Sequence, residues 1–402
     1  MAEYSTSSSS AREVAANSDI LIQILIRLPV KSLMIFKSVS KHWLSIITSH
    51  FFALLRNPDS SVVFGLFHHP GSNPFRALNF IPLVNTIETP THNPHPKFTG
   101  LALSPNLPAH IRIISSCQGL LLCCFGHKHD DPKPNYFILN PTTKQFKNLP
   151  RCHISGLMCL TLAFDPSKSP HYKVVCVYMD TVPTDPMEPY HFIMTYSSDT
   201  GLWKAPGMRF TAKCKTEYES GVYWNGAVNW FHSGSYGDLV YYNVEDERLG
   251  SIPLPPIPEG NDRHNYRAYS HCGESRGHLH LVDEFVGTAR VHELERDYSR
   301  WFLKFSVDLR SVGILRDIRL CPYSILCVVR MERDEESFLV LHVPGKILRY
   351  VFGDGTLKKI RDEPIPYSLQ CIRRRRRWHF AWRGRKSCRL DSFQYIESLF
   401  GI

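Results

Sequence analysis

Tyr136-Phe137-Ile138-Leu139-Asn140-Pro141-Thr142-Thr143-Lys144, then Phe146, then Leu149-Pro150, is the stretch whose reading decides the fold. It reads as a strand, a tight turn and a second strand opened by an aromatic residue. At an offset of 103 residues, without a gap, Tyr241-Tyr242-Asn243, Glu245-Asp246-Glu247, Leu249 and Ile252-Pro253 repeat the shape. A third copy is Phe192 to Tyr196, the turn Ser197 to Gly201, and Trp203. A fourth is Val291 to Glu295, the turn Arg296 to Arg300, and Trp301. Leu348 to Phe352, Gly353-Asp354-Gly355 and Leu357 form a weaker fifth. The anchors Phe146, Trp203, Leu249, Trp301 and Leu357 lie 57, 46, 52 and 56 residues apart. Before several copies a glycine opens an inner strand, at Gly119-Leu120-Leu121-Leu122, Gly226-Ala227-Val228-Asn229-Trp230 and Gly277-His278-Leu279-His280-Leu281. A period near fifty with about four strands per repeat is the sequence sign of a β-propeller, and residues 60–370 have room for about six blades. A large β-sandwich or barrel is the competing reading.

Upstream of the repeats the period changes. Residues 1–16 are rich in Ser and Ala, with Ser7 to Ser10 in a row, and are expected to be disordered. Ile20, Leu21, Ile24, Leu25 and Leu28 then recur at helical spacing, with Ser18 as the expected cap and Pro29 as the stop. A second short helix fits Lys31 to Lys37, with Leu33, Met34 and Phe36 apolar. Ser40 caps a third, carrying Trp43, Leu44, Ile46 and Ile47, and Phe51, Phe52, Leu54 and Leu55 follow before Asn57-Pro58 closes the block. A stretch of roughly 40 residues rarely builds its own core. This one carries large apolar side chains on more than one face, so it either packs on the rest of the chain or needs a partner. Downstream, residues 84–110 read as a long surface loop, and Asp391 to Ile402 as a segment that closes the ring or packs on the helical block.

The chain has 402 residues, 43% of them hydrophobic, enough for one large domain beside a small module. No stretch looks like a signal peptide, and none approaches the ~20 apolar residues that span a bilayer. The 12 cysteines show no framework spacing, so reduced thiols in an intracellular protein, nuclear or cytoplasmic, are expected. Cys123 and Cys124, in an apolar run, read as core thiols. The net charge of +10 is concentrated: Arg373 to Arg377, Arg383, Arg385, Lys386 and Arg389 lie within residues 373–389. Outside those nine, 38 basic residues face 37 acidic ones, so one segment is basic and the protein as a whole is not.

The helical block resembles an F-box. The residues that carry the likeness are Ile24-Leu25-Ile26-Arg27-Leu28-Pro29-Val30-Lys31-Ser32-Leu33, then Phe36-Lys37-Ser38-Val39-Ser40-Lys41, then Trp43-Leu44-Ser45-Ile46-Ile47. The pattern is similar to the large plant-type F-box group. Cys117-Gln118-Gly119-Leu120-Leu121, Leu139-Asn140-Pro141-Thr142-Thr143-Lys144 and Tyr395-Ile396-Glu397-Ser398-Leu399 resemble the F-box-associated propeller of that group. Gln23 stands where an acidic residue is common and Ile35 where a basic one is common; both leave the apolar pattern intact. The resemblance implies a multidomain chain. A small all-α, three-helix F-box at residues 17–57 precedes an all-β propeller of about six blades at residues 60–402. It implies a substrate-recognition subunit of a Skp–cullin–F-box ubiquitin ligase, whose F-box holds the Skp adaptor and whose propeller presents a protein for ubiquitination. The expected adaptor contacts are Leu25, Leu28, Pro29, Leu33, Phe36 and Trp43, with Pro29 fixing the break between helices. Trp43 reads equally well as internal core of the block.

No catalytic pattern stands in the chain: no phosphate-cradling Gly-rich loop, no His-Glu-x-x-His, no Gly-x-Ser-x-Gly and no paired Cys-x-x-Cys. His68-His69 and His127-Lys128-His129 read as residues of polar loops. The chain is therefore read as a non-enzyme without metal or cofactor. A propeller enzyme would need a polar or metal-binding cluster in its channel. Arg373, Arg374, Arg375, Arg376 and Arg377 have four readings: a solvated basic loop or edge strand, a nuclear-import signal, a patch for an acidic or phosphorylated substrate, or a nucleic-acid contact. The last underlies the alternative function, a propeller-based interaction scaffold acting outside a ligase.

Overall fold

The computed structural model describes residues 13–56, 63–68, 78–83, 111–125, 134–151, 156–179, 190–204, 209–211, 221–231, 238–256, 268–285, 287–310, 323–343, 345–362 and 392–402. Within them a few N-terminal helices precede a six-bladed propeller.

The helical block consists of α1 (Ser18–Leu25), α2 (Val30–Phe36), α3 (Lys41–Thr48) and α4 (His50–Arg56). There is one helix more than the expected three. Ser49 breaks the last stretch: its backbone is extended, and its hydroxyl accepts from Phe52 N at 3.1 Å, capping α4. Asn17, not Ser18, caps α1; its Oδ1 accepts from Asp19 N at 3.0 Å and Ile20 N at 3.2 Å. Residues 13–16 are already helical, which corrects the expectation of disorder up to residue 16; residues 1–12 lie outside the described residues. Pro29 is extended between α1 and α2, at the N-cap of α2, where its missing N–H costs no helical hydrogen bond. Ser40 caps α3 through Trp43 N at 3.1 Å, as the sequence suggests.

The strands that follow form six sheets. The first holds β1 (Gly65–His68) and β2 (Asn79–Pro82), and the second holds β3 (Arg112–Cys117), β4 (Leu120–Phe125), β5 (Asn135–Asn140) and β6 (Gln145–Asn148). The third is β7 (Leu157–Ala163), β8 (Lys173–Met179), β9 (Tyr190–Ser197) and β10 (Leu202–Lys204), with β11 (Arg209–Thr211) also paired to β9. The fourth is β12 (Val222–Trp224), β13 (Ala227–Trp230), β14 (Asp238–Asn243) and β15 (Arg248–Pro253). The fifth is β16 (Ala268–Ser275), β17 (His278–Phe285), β18 (Thr288–Leu294) and β19 (Trp301–Asp308). The sixth is β20 (Ser324–Val329), β21 (Phe338–Val343), β22 (Lys346–Val351) and β23 (Leu357–Asp362). The last strand, β24 (Ser392–Tyr395), returns to the first blade and pairs β1 with Phe67 opposite Phe393. His68 is a fully buried residue of β1, not a loop residue as its polar surroundings suggest; His69, His127 and His129 lie outside the described residues.

The innermost strands β24, β3, β7, β12, β16 and β20 neighbour one another in that order. Ser392 Oγ closes the circle by donating to Leu326 O at 2.6 Å. Each blade packs its faces on two neighbours, so the middle strands are buried on both sides: β4 and β21 are near-continuous apolar runs. Separate apolar clusters fill the joints between blades 1 and 2, 3 and 4, 4 and 5, 5 and 6, and 6 and 1. The joint between blades 2 and 3 differs. Its cluster runs on from Leu122, Leu162, Phe164 and Tyr172 into Leu21, Leu25, Leu33, Ile47 and Phe52 of the helical block.

Turn chemistry sets the polarity of the ring. Gln118-Gly119, Asn225-Gly226 and Arg276-Gly277 each have positive φ at both residues, the two-residue turn that matches strand twist. The glycine noted in the sequence is thus the second turn residue between the innermost strand and the next. Lys144, Gly201, Glu247 and Gly355 share a left-handed conformation at the fifth residue of the outer turn. These turns lie at one end of the ring, and the helical block sits there. The strand ends that flank residues 126–133, 180–189, 232–237 and 363–391 lie at the opposite end. The segment 84–110 and the basic segment 373–389 themselves lie outside the described residues.

Candidate docking face

The helical block has an inward and an outward side. Inward, Leu25 and Leu33 are 0% exposed. Both were expected at an adaptor surface. In the molecule they are interior side chains of a core that runs continuously from the helices into the blade 2–3 joint. Leu28, Phe36 and Trp43 are half-buried at the rim of that core, and Pro29 is exposed. Phe36 and Trp43 meet edge to face, centroids 5.4 Å apart at 87°. Trp43 therefore serves the block's own packing and still offers part of its surface outward.

Outward stand side chains that the sequence reading did not single out as contacts: Ile20, Ile24, Ile35, Val39, Leu44, Phe51 and Leu55 are all exposed large apolar residues. Ile35 is 62% and Phe51 61% exposed. The signal was present in the sequence. On α1 both Leu21/Leu25 and Ile20/Ile24 are spaced four apart, and the two pairs are offset by one residue, or about 100° around the helix. An apolar arc that wide serves two packing partners. The core shared with the other helices and the propeller takes one side, and the other stays exposed.

Charged groups in the helical block are mostly basic. Residues 17–57 contain Arg27, Lys31, Lys37, Lys41 and Arg56 against a lone acid, Asp19. Burial holds the Lys37 ammonium below the usual lysine range. Arg56 Nη1 donates to Ile26 O at 2.9 Å, satisfying a carbonyl at the end of α1. Burial lowers the Arg56 pKa while nearby Glu397 opposes the shift; burial raises Glu397 while Arg56 opposes that one.

Residues 17–54 match the model of the F-box domain, and residues 79–277 match that of the F-box associated beta propeller domain. An F-box protein of Arabidopsis thaliana is 33% identical over 89% of this chain and 88% of its own length. The chain belongs to the F-box protein family. A second Arabidopsis thaliana F-box protein is 28% identical, covering 73% of this chain and 79% of that one. Among solved structures, a chain of a nidogen/laminin complex covers 83% of this chain and 99% of its own, with a TM-score of 0.40 at 9% identity.

The F-box helices thus carry the outward apolar face, and the propeller supplies their inner support. Inside the propeller the described residues show no cluster of three His, Cys, Asp or Glu placed to hold a metal. Cys117, Cys123, Cys124, Cys159, Cys176, Cys272 and Cys327 are thiols rather than disulfides, Cys123 and Cys124 buried in β4. Burial pushes the Cys272 thiol up to about 12, so it stays protonated and a poor nucleophile. At the helix-side end of the channel, Gln394 Nε2 donates to Glu274 O at 2.7 Å. The Glu274 carboxylate accepts from Gly277 N at 2.7 Å, capping its own turn.

A polar network in blade 5 was not anticipated. Asp283, fully buried, receives Arg290 Nε at 3.0 Å and Nη2 at 2.6 Å, and lies 3.2 Å from His292 Nε2. On the other sheet face Glu293 pairs with His278, and its second oxygen lies 3.7 Å from His280 Nε2. These groups join neighbouring strands of one blade, and all but His278 are largely removed from solvent. The five arginines from Arg373 to Arg377 lie outside the described residues. The residues bracketing that segment, Asp362 and Ser392, stand at the end of the ring away from the F-box.

Proposed function

We propose that this F-box protein is the substrate-recognition subunit of a Skp–cullin–F-box ubiquitin ligase. Its outward helical face holds the Skp adaptor, and the far end of its propeller presents a protein for ubiquitination. The observation that carries the reading is the exposed apolar set Ile20, Ile24, Ile35, Val39, Leu44, Phe51 and Leu55 on helices whose other side is already buried. Burying such a set at a stable interface of ~1,600 Å² gives the anchors and the area that specific docking needs. The excess of basic over acidic side chains in the helical block favours a partner with carboxylates at the rim. The ring polarity supports the division of labour: short hairpin turns face the F-box, and the longer connections, where specificity resides in scaffolds of this kind, open on the other end. On this reading the protein performs no chemistry. It contributes proximity between a cargo lysine and ubiquitin carried by other subunits. Basic residues 373–377 fit a role in contacting an acidic or phosphorylated cargo, through bidentate guanidinium contacts.

The test is co-purification of the full chain with a Skp adaptor and a cullin. The native chain is expected to form the ternary complex. Ile24→Asp with Phe51→Asp is expected to abolish it while the propeller melts unchanged. A native chain that fails to bind purified adaptor overturns the proposal.

A further inference from the structure

The chain segment after β24 does more than end the ring. It runs beneath the F-box, and Leu399 and Phe400 join the core shared by α1–α4 and blades 2 and 3. The Phe400 ring lies 5.5 Å from His50 of α4 and 5.5 Å, edge on, from Phe164 of blade 3. Asn140, fully buried at the outer turn of blade 2, binds this segment directly: its Nδ2 donates to Ser398 O at 3.0 Å and Phe400 O at 2.9 Å. Its Oδ1 faces the other way and accepts from Thr142 N at 2.9 Å and Thr143 N at 3.2 Å. Thr142 Oγ1 then accepts from Ser398 N at 3.1 Å and meets the Tyr395 hydroxyl at 3.2 Å. Asn243 holds the equivalent turn in blade 4 with the same acceptor bonds, to Glu245 N at 2.9 Å and Asp246 N at 3.0 Å. No hydrogen bond from Asn243 to a tail is found among the described residues.

We infer that residues 396–400 form a strap, locked by Asn140, that fixes the orientation of the F-box on the propeller, with Asn140 and Phe400 as its positioning residues. The inference deepens the ligase reading, since a held orientation sets the direction from adaptor to cargo. The two halves of the Asn140 amide have separable tasks. The oxygen folds the turn, as in Asn243; the nitrogen holds the strap. Asn140→Asp keeps an acceptor for the turn and replaces two donors to carbonyls with a repelling oxygen.

The experiment uses the full chain with the Skp adaptor bound. Genetically encoded spin labels at the exposed positions Ser45 of α3 and Lys358 of β23 report the distance between F-box and propeller. The native chain is expected to give one narrow distance. Asn140→Asp should lose it to a broad distribution, with amide exchange in α3 and α4 faster by about tenfold. Asn243→Asp should leave both readouts as in the native chain, and adaptor affinity should hold in all three. Phe400→Leu, which keeps an apolar plug, should restrict the broadening. A narrow distance in Asn140→Asp overturns the strap. So does equal broadening in Asn243→Asp, because the effect would then be a general loss of turn stability. If the native chain binds no adaptor, the same measurements on the free chain still decide the strap, and the ligase reading alone fails.

Discussion

Leu33 and Ile35 stand two residues apart on α2 and do opposite work. Leu33 is fully buried in the core shared by the helices and the propeller; Ile35 is 62% exposed. Leu33→Ala should cost about 2–5 kcal/mol of stability, read from urea unfolding, because a cavity opens where several elements meet. Any loss of adaptor binding in that variant comes through the loosened helices. Ile35→Asp should change stability by no more than about 0.5 kcal/mol, yet weaken adaptor binding about tenfold or more by titration calorimetry. Both residues are plain apolar letters at adjacent places in one short helix. Which of them is buried depends on how the helices of the block pack together and on the propeller. Arg290 offers a third residue-scale test. Arg290→Met leaves the Asp283 carboxylate, 0% exposed, without its bidentate donor. It should destabilise by about 3–5 kcal/mol in urea unfolding.

At the level of elements, the two-residue turns separate local from long-range demands. Gly119 and Gly226 have φ near +83° and +79°, so an alanine is strained at either place. Their surroundings differ. A Cβ on Gly119 would lie 2.3 Å from Ser398 Cβ and 2.8 Å from Ile396 O, whereas one on Gly226 meets only Lys168 Nζ at 3.6 Å. Gly226→Ala should therefore cost about 1 kcal/mol, and Gly119→Ala distinctly more, with faster amide exchange in the segment after β24. Equal costs in thermal melts would mean that the segment yields freely. The strand–turn–strand repeat and the helix caps follow from local sequence. The extra break at Ser49 and the cap at Asn17 turned on which of several suitable polar residues was left just outside a helix. Short-range propensity does not discriminate among such neighbours.

Across the molecule, acid should attack the joint between blades 5 and 6. His280, 1% exposed, is held far below the ordinary histidine range by burial first, then by Arg330, His278 and His271. Burial pushes partly covered His271 down to about 4. In the unfolded chain both take a proton near 6.5. Below that value the unfolded chain binds more protons than the folded one, so stability, full above about 6.5, should fall steadily as the pH drops towards 4. Urea midpoints measured from pH 7.5 to 4.5 check this; His280→Asn with His271→Asn should flatten the slope. The histidines were visible as letters of a strand. That His280 faces a buried arginine from the next blade was not, because the contact joins residues about fifty positions apart.

The amino-acid order by itself determined the repeat, hence blades of antiparallel strands, and it marked a helical block too small and too apolar to stand alone. Those are consequences of periodicity and turn chemistry, which act over a few residues. Only the tertiary structure decided which side of that block is spent. Leu25 and Leu33 lie in the core that runs from the helices into the propeller and takes in Leu399 and Phe400, while Ile24, Ile35 and Phe51 stay in solvent. Burial is a property of the surface that arrives from elsewhere in the chain, and no local pattern records which of two apolar faces that surface will meet.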